Sequence, residues 1–321
     1  MITQEKIRIK NGNGNGVTLS AFIYFPDGFA KDKKYKAVVV THPGGGVKEQ
    51  TAGLYAKKLA ENGFITIAYD ASFQGESTGE PRQLENPYVR TEDISAVVDY
   101  LTALPYVDQE NIGAMGICAG AGYTVNAAIN DRRIKAVGTV SAVNIGAMIN
   151  RGWLGDQPVE KALASLEYGS QSRTEDAKGG ESAKMPMAPL HKEDTPYVDL
   201  QEAWEYYHTD RAQCATSPGV GTARSLTQLV TYDAFNFANY FLTQPLLIIA
   251  GSVAQSKWMS DDLLERAASK DKTLYIVEGA NHMKLYDIPK YVDEAVSQLS
   301  PFFKNKLGIA AKAEKKETAT A

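Results

Sequence analysis

The chain has 321 residues, room for about two domains or for one α/β domain carrying an insertion. Lys plus Arg is 34, Asp plus Glu is 38 and the net charge is −4, which argues against a surface built to neutralise nucleic-acid phosphates. Two cysteines exclude a disulfide scaffold, and four histidines without a CxxC or HExxH pattern give no transition-metal site. No apolar run approaches the roughly 18–20 residues that span a bilayer. The opening MITQEKIRIK has no apolar stretch behind its lysines, so no secretory signal and a cytoplasmic location are expected.

Residues 5–25 hold two strand-like runs, KIRIK and VTLSAFIYF, and the intervening NGNGNG suits a hairpin loop. AVVVT (37–41) is short and β-branched with no polar alternation, the pattern of a buried parallel strand. A glycine-rich turn, a helix over about 50–62 and the strand FITIAY (64–69) follow. Ile94, Val97, Val98, Leu101 and Leu104 stand at helical spacing, ending near Pro105. The strand IGAMGI (112–117) runs straight into a helix, CAGAGYTVNAAI, and IKAVGTV (134–140) is the next strand. PLLIIAG (245–251), TLYIVEG (273–279) and an amphipathic helix through Phe303 complete the alternation. Alternating strands and helices predict a mostly parallel sheet with helices on both faces.

Between the strands at 134–140 and 245–251 the alternation breaks, over a segment with no clear strand. A bare loop of that length is improbable in a compact domain, and the segment is read as a helical cap. The expected organisation is an α/β core over 1–145 and 241–307, the cap over 146–240, and a disordered Ala/Lys/Glu/Thr-rich tail over 308–321.

Three places carry chemistry. Gly116-Ile117-Cys118-Ala119-Gly120 sits where a strand turns into a helix, as in G-x-S-x-G with Cys for Ser. Small neighbours allow the tight turn, and the helix N-terminus is expected to favour thiolate. A buried structural cysteine is the alternative. His42-Pro43-Gly44-Gly45-Gly46 follows the strand at 37–41; N–H groups of Gly44 or Gly45 with that of Ala119 would hold a developing oxyanion. The loop lacks the Gly-Lys-Ser/Thr ending of a Walker loop. His282 follows the last strand and can reach back over the sheet's carboxyl edge. Lys48 and Glu49 read as solvated residues of a first helical turn, with a proton relay near the thiol as the alternative. Cys214 and His208 fall in the expected cap, where a packed histidine is the plainer reading of His208.

Elbow, glycine-rich loop and final histidine together resemble the α/β-hydrolase superfamily, most closely the branch around dienelactone hydrolase, whose elbow also carries Cys. The similarity runs over roughly residues 5–305 and includes the loop from Asp70 through Phe73-Gln74-Gly75-Glu76-Ser77. It implies Cys118 as nucleophile, His282 as base, and N–H groups of Ala119 and the Gly44–Gly46 bend as the oxyanion hole. The family's acid usually follows the strand equivalent to 245–250. Here that loop reads GSVAQS, with Gln255 where the carboxylate is expected. The third member is therefore Gln255, or an acid from elsewhere such as Asp261, Asp70 or Glu76; the loop after 134–140 offers Asn144. An amide can orient an imidazole, and a thiol needs less help to ionise than a hydroxyl.

The expected activity is cleavage of an ester, lactone or thioester carbonyl through Cys118 and His282. The alternatives are a non-hydrolytic enzyme of this fold (acyltransferase, cyclase or C–C lyase) and a ligand-binding protein on a decayed hydrolase scaffold. No cofactor or metal is implied. The expected partner is a small-molecule substrate, with neither nucleic acid nor membrane, and a homodimer is the base-rate assembly.

Overall fold

In the computed structural model, which describes residues 1–12 and 14–308, ten strands and eleven α-helices follow one another along the chain. The tail expected to be disordered lies, beyond Gly308, outside the described residues. The first half contains β1 (Thr3–Lys10), β2 (Thr18–Phe25), β3 (Tyr35–Thr41), α1 (Thr51–Glu61), β4 (Ile65–Tyr69) and α2 (Pro87–Thr102). It continues through β5 (Val107–Ile117), α3 (Ala119–Asn130) and β6 (Ile134–Val140). A long insertion holds α4 (Ile145–Arg151), α5 (Leu163–Ala177), β7 (Lys184–Pro186), α6 (Val198–His208), β8 (Val220–Thr222), α7 (Leu226–Leu229) and α8 (Ala238–Phe241). The chain then returns to the sheet with β9 (Leu246–Gly251), α9 (Lys257–Arg266), β10 (Lys272–Val277), α10 (Lys284–Asp287) and α11 (Pro289–Lys306).

Eight strands form one sheet in the order β1-β2-β4-β3-β5-β6-β9-β10. The hairpin β1–β2 and the β2–β4 pair are antiparallel, and every pair from β4 to β10 is parallel. Both faces are covered, which is why β3 reads as an unbroken valine run. Val39 faces the layer with Ile94, Val97 and Tyr123, while Val38 and Val40 face the layer with Tyr55, Leu59 and Phe303. Full burial of each valine contributes about 1.5–3 kcal/mol. In α11, Val292, Ala295, Val296, Leu299 and Phe303 recur at helical spacing and seal the second layer. The Asn86 side chain caps α2 by accepting from the N–H groups of Tyr88 and Val89, and Pro87 occupies its first turn.

The insertion differs from the expected all-helical segment. It contains a two-stranded antiparallel sheet, β7 with β8. Three residues per strand are too few to show a period-two pattern in sequence. Among the described residues no helix is long and apolar enough to cross a membrane.

Strand order reverses around β3. The crossover after β3 runs to β4 on one side, and the crossover after β4 returns to β5 on the other. Such a switch point leaves a crevice at the carboxyl ends of the parallel strands. The loops after β3, β5, β9 and β10, with the insertion after β6, all meet there.

Candidate active site

Cys118 stands between β5 and α3 with φ 56° and ψ −126°, a backbone that costs a non-glycine residue about 1–3 kcal/mol. The bend is held because its N–H donates to Val140 O at 3.0 Å and its carbonyl accepts from Ala121 and Val143, each at 3.0 Å. Its glycine neighbours are steric necessities. A Cβ on Gly116 would lie 2.1 Å from Gly120 O, and one on Gly120 would lie 2.4 Å from Thr41 O. The backbone N–H groups of Ala119 and Gly44 and the Tyr286 hydroxyl lie near enough to the Cys118 sulfur to favour its thiolate.

The loop after β3 is fixed from behind. His42 Nδ1 donates to Pro43 O at 2.7 Å and its Nε2 accepts from Ala71 N–H at 3.1 Å. Burial keeps this imidazole neutral, its pKa well below the usual range. The buried Arg90 donates to His42 O at 2.7 Å and faces Glu85, which in turn accepts from the Tyr123 hydroxyl at 2.7 Å. Gly44 lines the cavity beside Cys118. Gly45 turns away: its carbonyl accepts from Ser217 Oγ at 2.6 Å and its Cα faces Met187. Of the two glycines expected to serve an oxyanion, Gly44 alone sits at the sulfur.

His282 is buried in the loop after β10. Its Nδ1 lies 2.6 Å from Ser256 Oγ and its Nε2 lies 3.2 Å from the Tyr286 hydroxyl. Trp153 packs edge-on against the ring at 5.0 Å. Burial, with no carboxylate compensating, drives the imidazole pKa down to about 3. Burial also raises the Cys118 thiol, outweighing the nearby Tyr286, Ala119 and Gly44 groups that would favour a thiolate. The thiolate expected from the helix N-terminus is corrected here: at rest the pair is a neutral thiol and a neutral imidazole.

The sequence candidates for a third member are placed elsewhere. Gln255 Oε1 accepts from Asp199 N–H at 3.2 Å, so its side chain faces α6 and not the imidazole. Asp261 is half exposed and paired with Lys257 at 2.7 Å, one helical turn along α9. Asp70 and Glu76 both hold Lys48, at 2.8 and 2.7 Å. Asn144 bonds Asp233 and Ala234. The position at Nδ1 belongs to Ser256, next to the residue chosen from sequence. Tyr286, Tyr207, Ser256 and Asp199 are site residues that sequence reasoning missed. The spacing His282-x-x-x-Tyr286 was the one available signal, since four residues bring a side chain back by about a turn.

Asp199, on α6 of the insertion, clamps both loops. Its Oδ2 accepts from Gln255 N–H at 2.8 Å and its Oδ1 accepts from His282 N–H at 3.4 Å. Lys48 corrects another expectation. It is fully buried before α1 begins, and its Nζ meets Glu49, Asp70 and Glu76 at 2.6–2.8 Å. Those three acids cluster as metal ligands would, but the ammonium fills the place of a cation. Cys214 lies 3.4 Å from Thr216 Oγ1, and His208 stacks near Trp204 at 6.5 Å, both within the insertion.

Cys118, His282, Tyr286, Tyr207 and Gly44 line one cavity of about 620 Å³. Its remaining wall is mostly apolar, with Met148, Trp153, Met185, Met187, Leu200 and Leu226 among the lining residues and Asp194 the one charged side chain.

A family model described as the dienelactone hydrolase family matches residues 19–142, the stretch that holds the glycine-rich loop and the elbow. The chain is 63% identical over 302 residues to the uncharacterized protein YcjY of Escherichia coli (strain K12), covering 94% of this chain and 99% of that one. It is 35% identical over 294 residues to the uncharacterized protein PA2218 of Pseudomonas aeruginosa, covering 88% of this chain and 76% of that one. The crystal structure of PA2218 matches the fold with a TM-score of 0.86 at 31% identity, over 95% of this chain and 94% of that chain. A thiohydrolase of Eupenicillium brefeldianum is 23% identical over 295 residues, 90% of each chain.

Proposed function

Because this chain belongs to the dienelactone-hydrolase-related branch of the α/β-hydrolase superfamily, we propose that its hydrolase activity runs through Cys118 as nucleophile and His282 as base, on esters or thioesters with an uncharged, apolar acyl group. One observation carries the reading. Cys118 and His282 come from loops far apart in sequence, yet both face a single, mostly apolar cavity that Gly44 and Ala119 also line.

The chemistry follows from these positions. The sulfur attacks the carbonyl carbon and the carbonyl electron pair moves onto oxygen. The Gly44 and Ala119 N–H groups hold that oxyanion; losing one such donor typically costs roughly 10²–10³ in rate. His282 takes up the thiol proton and returns it to the departing alcohol or thiol, leaving an acyl-thioester on Cys118. The same imidazole then activates water to release the acid and restore the thiol.

The resting pair is neutral, so attack and proton transfer occur together rather than from a preformed ion pair. Ser256 replaces the usual acid as the group that fixes the imidazole. An uncharged partner orients the ring without stabilising its protonated form. A thiol nucleophile tolerates this better than an alcohol, because less proton affinity must be overcome. The insertion, 146–240, acts as a cap: Trp153, Met185, Met187 and Leu200 wall the acyl site and exclude water. The apolar lining supports an uncharged acyl group, and the thiohydrolase relative supports a thioester as the scissile bond.

The test uses chromogenic esters and N-acetylcysteamine thioesters of increasing acyl length. A burst of leaving group, a mass increase of one acyl group confined to Cys118, and loss of at least 10³ in rate in Cys118→Ala are expected. Full activity in Cys118→Ala would overturn the mechanism. Running the reaction with a competing amine separates hydrolysis from acyl transfer by its products.

A further inference from the structure

Tyr286 was not a candidate in the sequence, yet its hydroxyl meets the imidazole in the cavity that Cys118 also lines. It lies 3.2 Å from His282 Nε2, shares one cavity wall with Cys118, and is close enough to the sulfur for each to shift the other's proton affinity. Among the described residues, the hydrogen-bond partners of the His282 ring are Ser256 and Tyr286. The imidazole nitrogen on the cavity side thus meets a phenol oxygen and not the sulfur itself.

The position is built and not incidental. Tyr286 is 1% exposed, so no bulk water competes for its hydroxyl. It sits on α10, one turn after His282. The Tyr55 hydroxyl donates to Leu285 O at 2.7 Å, and Arg211 grips Asp287 with two bonds of 2.8 and 2.6 Å. The ring of Tyr206 packs edge-on against that of Tyr286 at 5.2 Å. Backbone on both sides and the ring itself are thus held.

We infer that Tyr286 is a catalytic proton carrier, passing the Cys118 thiol proton to His282 Nε2 as the sulfur attacks. The inference rests on the Cys118–His282 reading above. The S–H bond breaks and its proton goes to the Tyr286 oxygen. The original phenol proton leaves that oxygen for Nε2, and the sulfur electron pair forms the S–C bond. In the tautomer that makes Nε2 a base, Nδ1–H donates to Ser256 Oγ. On collapse of the intermediate the protons run back, Nε2 to Tyr286 and Tyr286 to the leaving atom. The tyrosine ends each half-reaction unchanged.

A relay of this kind suits a site with two neutral, buried groups. Direct transfer would leave thiolate and imidazolium in a medium that penalises both. Coupled transfer moves both protons as the charge passes to the oxyanion, where N–H donors await it. Burial, together with Cys118 and Tyr207 alongside, keeps the phenol proton held far more tightly than usual, so no tyrosinate accumulates.

The experiment uses the full chain and the best chromogenic thioester found above. In Tyr286→Phe, kcat/KM falls about 100-fold with KM within threefold, within the range of general acid–base contributions. A lost packing contact alone would not change the number of protons in flight. In mixtures of light and heavy water, wild-type kcat/KM follows a curved dependence on deuterium fraction, the signature of two moving protons. The residual activity of Tyr286→Phe follows a straight line. A linear wild-type plot, or a Tyr286→Phe rate within threefold of wild type, overturns the relay. The wild-type plot decides the matter even if the variant does not fold. Loss of activity in Cys118→Ala alongside an unimpaired Tyr286→Phe overturns the relay alone; an active Cys118→Ala overturns the reading beneath it.

Discussion

His282 Nδ1 lies 2.6 Å from Ser256 Oγ, and an uncharged hydroxyl thus occupies the place where a carboxylate usually steadies such an imidazole. Ser256→Ala leaves a buried ring nitrogen unpaired, a penalty of about 1–3 kcal/mol. A drop of roughly tenfold in kcat/KM at nearly constant KM is expected from steady-state assays. Ser256→Asp does the opposite to the base: a carboxylate at this distance raises the imidazole pKa from about 3. The acidic limb of the kcat/KM profile then moves to higher pH by at least about one unit. An unmoved limb would show that His282 is not the group titrating there.

Acid stability depends on the same ring. The folded pKa of His282 is about 3, below its unfolded value, so between these values the unfolded chain binds the extra proton. Stability is intact above about pH 6.5 and is lost as pH falls toward 3. Near pH 5 the loss from this one residue is about 2 kcal/mol. His42 is depressed in the same direction and adds to it. Urea unfolding at pH 7.5 and pH 5 measures the slope, and His282→Gln should flatten it without abolishing it.

The elbow tolerates no side chain at Gly120. A methyl group there would press on Thr41 O at 2.4 Å and His42 O at 2.5 Å, both backbone atoms that cannot swing aside. Gly120→Ala is expected to cost about 3 kcal/mol or more, at the upper end of overpacking penalties. The shift in urea midpoint at constant m-value reads it directly.

Lys48 makes a complementary prediction. Its Nζ is the counter-charge for Asp70, and both side chains are fully buried. Lys48→Met strands a buried carboxylate, a loss of about 3–5 kcal/mol. The double variant Lys48→Met with Asp70→Asn should recover part of it. A non-additive cycle in urea unfolding is the expected result.

Much of the fold was legible in the chain. The valine run of β3, the strand-to-helix junction at Cys118 and the stripe of α11 each carry a local signature that tertiary packing reinforces. The antiparallel pair β7–β8 was invisible, because three-residue strands inside an insertion follow their partner and not a pattern. At the site, Cys118, Ala119 and Gly44 were legible because tight turns demand small residues at fixed offsets, and His282 because it follows the last strand; the structure brings all four to one cavity. Ser256, Tyr286 and Asp199 were not. Their meeting depends on how three loops converge, and a serine, a tyrosine and an aspartate are unremarkable in sequence. Gln255 failed as a candidate by one residue: the loop after β9 turns its amide toward Asp199 and its neighbour toward the imidazole. Lys48 was misread as solvated because its three carboxylate partners include two that lie beyond β4.

Asp199 ties the insertion to the Gln255 and His282 amides through α6. Helix α6 is bolted to the reactive loops, so drift there would unsettle the base itself. Met185, Met187 and Leu190 belong to a stretch whose strand pairs only within the insertion. Substitutions in that stretch therefore reshape the cavity wall without touching the amides that Asp199 holds.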